Sequence, residues 1–267
     1  MSKIIECIDL CKVYERKLGM RFAATAKTFE EIKTIALDKI SLGIEEGEFV
    51  VIMGPSGSGK STLLNTISTL DIPTSGKLFF NGISINKIIH ADVDKFRGEK
   101  LGFIFQNFNV LPNLTVLENI AVPLNLNSKK TVEEVQDACE KIARKVGIED
   151  ILKKYPVECS GGQIQRISIA RALVTNPNLI LADEPTGNLD SKNSHEVLSI
   201  LKEFNDKDKK TIVMVTHDNM IASYGHRVIF LRDGKIEREL IRGEMSQSEF
   251  FYKIVEINSK EARMLFK

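Results

Sequence analysis

Gly54-Pro55-Ser56-Gly57-Ser58-Gly59-Lys60-Ser61 gathers three glycines, a lysine and three serine hydroxyls after the apolar run FVVIM and before an apolar-periodic helix. A chain that can curl here aims backbone N–H groups at a phosphate chain. Lys60 adds a point charge for the β- and γ-phosphates, and Ser61, followed by Thr62, offers an oxygen to Mg²⁺. That chemistry is nucleotide binding. Far along the chain, VECSGGQIQRISIAR carries a second anion-shaped feature, Ser160-Gly161-Gly162-Gln163. It precedes a helix marked by Ile164, Ile167, Ala170, Leu173 and Val174 and stopped by Asn176-Pro177. Read alone, Ser160 and Gln163 form a capping box, an ordinary helix start.

Three apolar runs, FVVIM, LILA and TIVMV, read as buried parallel strands. Their C-terminal ends deliver Gly54 onward, Asp183-Glu184 and Thr216-His217, and ligands of open α/β sheets bind at that edge. Asp183 is placed to hold Mg²⁺ through water, Glu184 to orient and deprotonate an attacking water, and His217 to touch the γ-phosphate. Gln106, at the end of the strand-like run in GFIFQNF, is positioned to meet Mg²⁺ or water and report nucleotide state to the helices that follow. Tyr14 offers a ring to stack on adenine. Phosphoryl transfer needs little covalent help, so positioning and charge neutralisation suffice.

The elements that must carry these residues follow from periodicity. IIECIDLCKVY and ALDKISLGI read as strands, separated by the 22-residue connection from Tyr14 to Leu37, where a short helix is expected near Phe29 to Lys33. A helix over Lys60 to Thr69, a turn at Pro73 to Gly76 and the strand-turn KLFFNGISI come next. From Gln106 to Tyr155 the pattern is helical, with capping boxes at Thr115–Glu118 and Thr131–Glu134. The second box opens a helix with Val132, Val135, Cys139, Ile142 and Val146 on one face, closed by Gly147. LILA, a helix over Ser191 to Phe204 and TIVMV alternate as a parallel α/β sheet requires. A hairpin at Asp233-Gly234 and a helix opened by Ser246–Glu249 end the chain.

Lys plus Arg total 37 against 36 Asp plus Glu, a net charge of +1, which gives no general attraction to nucleic acid or anionic lipid. Hydrophobic content of 43% is ordinary for a globular protein. No apolar run approaches a membrane span, and MSKIIECIDL lacks signal-peptide architecture, so a cytosolic protein is expected. Cys7, Cys11, Cys139 and Cys159 read as buried or partly buried free thiols. Cys7 and Cys11, expected on one strand face, lack the histidines of a metal site.

The phosphate loop, the Gln106 strand exit, Ser160–Gln163, hydrophobic-Asp183-Glu184, Gly187-Asn-Leu-Asp190 and His217, in that order, resemble the ATPase subunit of ABC transporters over nearly the whole chain. The resemblance implies an α/β P-loop NTPase with a RecA-like parallel sheet, an N-terminal antiparallel β subdomain and an inserted helical subdomain at about 106–165. It implies one ATPase domain over 1–267, with a C-terminal hairpin and helix at about 228–267. It also implies hydrolysis of ATP with Mg²⁺ in an ATP-dependent homodimer, where Ser160–Gln163 of one subunit close over the γ-phosphate held by the other. Asp190 belongs with the same nucleotide site. The pattern departs at Cys159, where the family usually has Leu, which is expected to tune packing of that loop. A separate membrane permease is implied, docking at NFNVLPNLTVLENI and holding the subunit on the cytoplasmic face of the membrane. The wording of several motifs, and the tail THDNMIASYGHRVIFLRDGKI with SQSEFFYKIVE, resembles the branch of macrolide exporters, lipoprotein-release ATPases and bacitracin-type resistance transporters. The last of these is nearest, and such systems often couple through the permease to a sensor kinase. Lipoprotein release or a cell-division role is the alternative within this branch. A non-transport ABC ATPase acting on chromosomes or ribosomes is the alternative from another class, opposed by the near-neutral charge and the lack of a coiled-coil insertion.

Overall fold

The computed structural model describes residues 2–18, 30–127 and 130–264. Its centre is a six-stranded sheet built from β3 (Phe49–Met53), β6 (Leu101–Ile104), β7 (Leu179–Asp183), β8 (Thr211–Thr216), β9 (Arg227–Arg232) and β10 (Lys235–Ile241). The order is β10-β9-β3-β8-β7-β6, parallel throughout except for β10, which returns from β9 through Asp233-Gly234. The sequence reading of three adjacent parallel strands holds, with Val51 beside Met214 and Leu181 beside Val213.

Every residue of β3 and β8 is buried because the sheet is covered on both faces. Strand alternation divides the side chains between two cores. Phe49, Val51, Met53, Ile180, Ala182, Ile212 and Met214 face the helical side, whereas Val50, Ile52, Leu179, Leu181, Val213 and Val215 face the other. A buried aliphatic side chain of this kind contributes roughly 1.5–3 kcal/mol.

On that second side lie α1 (Lys60–Ile67) and a four-stranded antiparallel sheet of order β2-β1-β4-β5. Its strands are β1 (Lys3–Leu18), β2 (Glu30–Glu45), β4 (Ser75–Phe80) and β5 (Ile83–Ser84). The short helix expected near Phe29 to Lys33 is not formed at Glu30–Lys33, which is strand; Phe29 lies outside the described residues. Pairing across the hairpin overrides the local signal: Lys33 stands opposite Glu15 and bonds it at 2.9 Å, and Val13 stands opposite Ile35. Within the 22-residue connection, 15–18 and 30–36 are strand arms. An irregularity between Cys7 and Leu10 also breaks the common face expected of Cys7 and Cys11. Cys7 is buried and Cys11 half-buried, and burial pushes the Cys7 thiol up to about 12.

On the helical side pack α3 (Val116–Asn127), α4 (Val132–Val146), α5 (Gly161–Leu173), α6 (Ser191–Asp206), the single turn α7 (Asn219–Ala222) and α8 (Gln247–Met264). The boxes at Thr115–Glu118, Thr131–Glu134 and Ser246–Glu249 all form, and Gly147 ends α4 in the left-handed conformation. Helix α2 (Ile85–Lys100) escapes the sequence reading, as does the single turn α7. Of the α2 residues only Ile85 is buried, and Asp92 interrupts the helix with extended backbone while capping the second half through the Lys95 N–H.

Candidate nucleotide site

At the C-terminal edge of β3, β7 and β8 the chain forms a cleft of about 770 Å³. The phosphate loop supplies Pro55, Ser56, Gly57, Gly59, Lys60, Ser61 and Thr62; Gln106, Glu184 and His217 close the opposite side. Gly59 is the Ncap of α1 with φ 100°, and a Cβ there would meet the Ala36 carbonyl at 2.3 Å. Only glycine fits that left-handed position. The helix start therefore opens toward the cleft with its first N–H groups free of intrahelical partners. Ser58 is buried, and its Oγ has no hydrogen-bond partner.

Lys60 is 7% exposed, and its ammonium donates to the Gly54 carbonyl at 2.9 Å and the Pro55 carbonyl at 2.8 Å. Burial lowers its pKa, opposed by the charges of Glu184 and Asp183. Ser61 Oγ donates to Asp183 Oδ1 at 3.1 Å. Burial raises the Asp183 pKa, the Ser61 bond and the Lys60 charge oppose the rise, and Glu184 adds to it. A hydroxyl, a carboxylate and the Gln106 amide oxygen are hard oxygen donors of the kind Mg²⁺ takes together with phosphate oxygens.

Glu184 sits between two partners. Its Oε1 is 2.9 Å from His217 Nδ1, and its Oε2 accepts from Gln106 Nε2 at 3.2 Å. Its backbone is left-handed, φ 43°, held by Glu184 N–H to the Val215 carbonyl and Gly187 N–H to the Glu184 carbonyl. For a non-glycine this conformation costs about 1–3 kcal/mol and turns the carboxylate out of the strand at the sheet edge. No sequence signal foretells it. Asn188 Nδ2 donates to the Gln106 carbonyl at 3.0 Å, joining the Gly187–Asp190 turn to the same group.

Other residues singled out in the sequence lie elsewhere. None of Ser160–Gln163 lines the cleft. They form the capping box in full, with Gln163 N–H on Ser160 Oγ at 3.3 Å and Ser160 N–H on Gln163 Oε1 at 2.9 Å. Gly162 packs so closely that a Cβ would lie 2.2 Å from Asn193 Oδ1. Asp190 caps α6 by accepting the Asn193 N–H at 2.8 Å. Cys159 is half-buried, its thiol 3.5 Å from the Tyr155 carbonyl. Tyr14 does not line the cleft; its hydroxyl donates to Asp71 at 2.6 Å. Thr34, Ile35 and Ala36 of β2 line it, residues that fall inside the connection read from the sequence. Their signal was the β-branched pair Thr34-Ile35 opposite Tyr14 and Val13.

Residues 37–187 match the ABC transporter family. The chain belongs to that family. It is 48% identical to the ABC transporter ATP-binding protein YxdL of Bacillus subtilis, over 87% of this chain and 90% of the relative. It is 42% identical to the bacitracin export ATP-binding protein BceA of Halalkalibacterium halodurans, over 94% of each. The ATP-binding cassette MJ0796 of Methanocaldococcus jannaschii, solved as a dimer in a post-hydrolysis state with ADP and Pi, superposes with a TM-score of 0.78. That likeness is at 41% identity and covers 89% of this chain and 98% of the cassette. The protein is therefore the ATP-binding subunit of an ABC transport system and an ABC-type ATPase, and the cleft is where its phosphate loop meets the ends of the strands. Among the described residues no helix is long and apolar enough to cross a membrane.

Proposed function

We propose that the cleft binds ATP with Mg²⁺ and that two copies of the chain share each site while driving a separate membrane permease. The observation that carries this reading is Glu184, held between His217 and Gln106 across from the phosphate loop. The backbone N–H groups of residues 54–62, Pro55 excepted, and the Lys60 ammonium hold the phosphates, and Tyr14 carries adenine. Mg²⁺, when bound by Ser61, Gln106 and, through water, Asp183, supplies charge neutralisation to the β- and γ-phosphates. Glu184 accepts a proton as water attacks the γ-phosphorus, the bond to the β–γ bridging oxygen breaks, and ADP leaves with the electron pair. His217 orients the Glu184 carboxylate and contacts the γ-phosphate. The dimeric MJ0796 cassettes support a second copy supplying Ser160–Gln163, with Asp190 at the same boundary.

The helices between about 106 and 165 form the unit that meets the permease, which places the protein on the cytoplasmic face of a membrane. The cargo class is peptide antibiotics of the bacitracin and lantibiotic type, a reading supported by the 42% identity to BceA over 94% of both chains. A sensor kinase linked through the permease belongs to the same reading. Deleting the gene should lower the inhibitory concentration of such compounds several-fold. Unchanged inhibitory concentrations together with defective lipoprotein sorting would move the assignment to lipoprotein release.

A further inference from the structure

Asp71 follows α1, the helix that begins inside the phosphate loop, and its N–H donates to the Asn65 carbonyl of that helix at 3.1 Å. Its carboxylate gathers three donors. Tyr14 Oη donates to Oδ2 at 2.6 Å, Lys12 Nζ to Oδ1 at 2.5 Å, and the Ile72 N–H to Oδ1 at 2.8 Å. Lys12 Nζ also donates to the Ile72 carbonyl at 2.7 Å and lies 5.0 Å from the centroid of the Tyr14 ring. The Lys12 and Asp71 side chains are only 12% and 26% exposed, so water does not dissolve this pair as it does a surface ion pair. Tyr14 itself stays 44% exposed, and Thr62 of the phosphate loop also reaches its hydroxyl.

We propose that Asp71 is a positioning residue for nucleotide: it locks the Tyr14 ring, through the phenol and the Lys12 ammonium, as a fixed platform for the base and ties that platform to the phosphate-loop helix. The inference rests on the reading of Tyr14 as the adenine platform. An untethered tyrosine has rotamer freedom to lose when a base stacks on it; a ring held by its hydroxyl, with a cation beside it, has already lost that freedom. Hydrogen bonding fits the assignment. Burial pushes the Asp71 carboxyl up, but the Lys12 and Tyr14 bonds outweigh it and hold the group below the usual carboxylate range. Burial and the Asp71 bond together raise the Tyr14 phenol, so both partners keep the protonation states the bond requires.

Calorimetry on the full chain with magnesium, using ATP and inorganic tripolyphosphate as probes, separates a base platform from a loop brace. Tyr14→Ala should weaken ATP by more than about tenfold and leave tripolyphosphate within about twofold. Asp71→Asn and Tyr14→Phe should each weaken ATP by about three- to tenfold, again sparing tripolyphosphate. The double variant should lose less than the sum of the two single losses, since both substitutions disturb the Tyr14–Asp71 bond. If Asp71→Asn binds ATP like the parent while Tyr14→Ala does not, Asp71 has no positioning role and the platform reading stands. If Tyr14→Ala binds ATP like the parent, the platform reading falls and this inference with it. Equal losses for ATP and tripolyphosphate in Asp71→Asn would make Asp71 a brace of the phosphate-loop helix only. Tyr14→Phe deletes one oxygen from a half-exposed ring, so the test survives should Asp71→Asn melt early.

Discussion

The phosphate loop and the Ser160–Gln163 stretch are both helix starts rich in glycine, yet the chain treats them differently. Around the first it gathers its own chemistry: Asp183 on Ser61, Lys60 on the loop carbonyls, and Glu184, Gln106 and His217 across the cleft. Around the second it gathers only packing. Ser160 and Gln163 satisfy each other, Gly162 sits against Asn193, and no charged group of the cleft comes near enough to line the same space. A helix start shaped for an anion but supplied with no chemistry of its own is half of something. On the shared-site reading proposed above, a second chain owns the missing half.

Glu184→Gln tests the richer region with the largest expected effect. Removing the proton acceptor should cut kcat by roughly a thousandfold while ATP affinity stays within about threefold, because the phosphate contacts survive. An ATP-stabilised dimer should then accumulate on gel filtration. Parental turnover would remove Glu184 from the chemistry. Lys60→Ala should cost about a hundredfold in ATP affinity by calorimetry, since the ammonium is a buried charge aimed at phosphate by two carbonyl bonds. Near-parental affinity would mean that the loop amides alone do the binding.

The same contrast explains what could be read from residues alone. Strands β3, β7 and β8 were legible because each is an unbroken apolar run ending in polar residues, and the capping boxes were legible because their bonds span three residues. The convergence of Gln106, Glu184 and His217 on the phosphate loop was legible too, from strand ends sharing one sheet edge, but particular pairings between distant residues were not. The hairpin arms hid because Glu15 and Lys33 are complementary only once paired, and with them went the placement of Thr34, Ile35 and Ala36 in the cleft. Helix α2 hid because Ile85 alone is fully buried, with Ile88, Ile89 and Phe96 only partly so. The left-handed turn at Glu184 and the grip of Asp71 on Tyr14 are tertiary facts with no local signature.

Whether the poorer region completes another chain's site has a direct test in trans. Lys60→Ala breaks the phosphate loop, and Ser160→Arg blocks the helix start beside it with a bulky cation. If each chain builds its own site, a mixture holds no intact site. If sites are shared, a heterodimer holds one doubly broken site and one intact site. The intact one takes its phosphate loop from the Ser160→Arg chain and its helix start from the Lys60→Ala chain. ATP-dependent dimer, followed by light scattering with magnesium, should return in the mixture to about a quarter to a half of the parent level, the fraction that random pairing of two subunits allows. A mixture no better than either folded variant alone would reduce Ser160–Gln163 to a helix cap.

The smallest effect is expected where the two regions touch within one chain. Arg171 lies near the far end of α5, the helix that Ser160 begins. Its guanidinium donates to the Asn109 carbonyl at 2.6 Å and the Phe108 carbonyl at 2.9 Å, just after Gln106. Phe108 and Asn109 are both left-handed, φ 58° and 50°, a strained pair that places two carbonyls before one guanidinium. Burial lowers the Arg171 pKa, yet the guanidinium stays charged at neutral pH. The bond pair ties α5 to the loop after Gln106, so on the proposed shared-site reading closure of a partner over Ser160 would reach Gln106. Lysine keeps the charge but cannot fork across both carbonyls. Arg171→Lys should therefore lower kcat by about two- to fivefold with KM for ATP within about twofold, and lower Tm by about 2–4 °C for each kcal/mol of lost bonding. Raising ATP concentration should not restore the rate. A variant that loses Tm but keeps the parental kcat would show that Arg171 only braces the loop, and that the two regions communicate by another route.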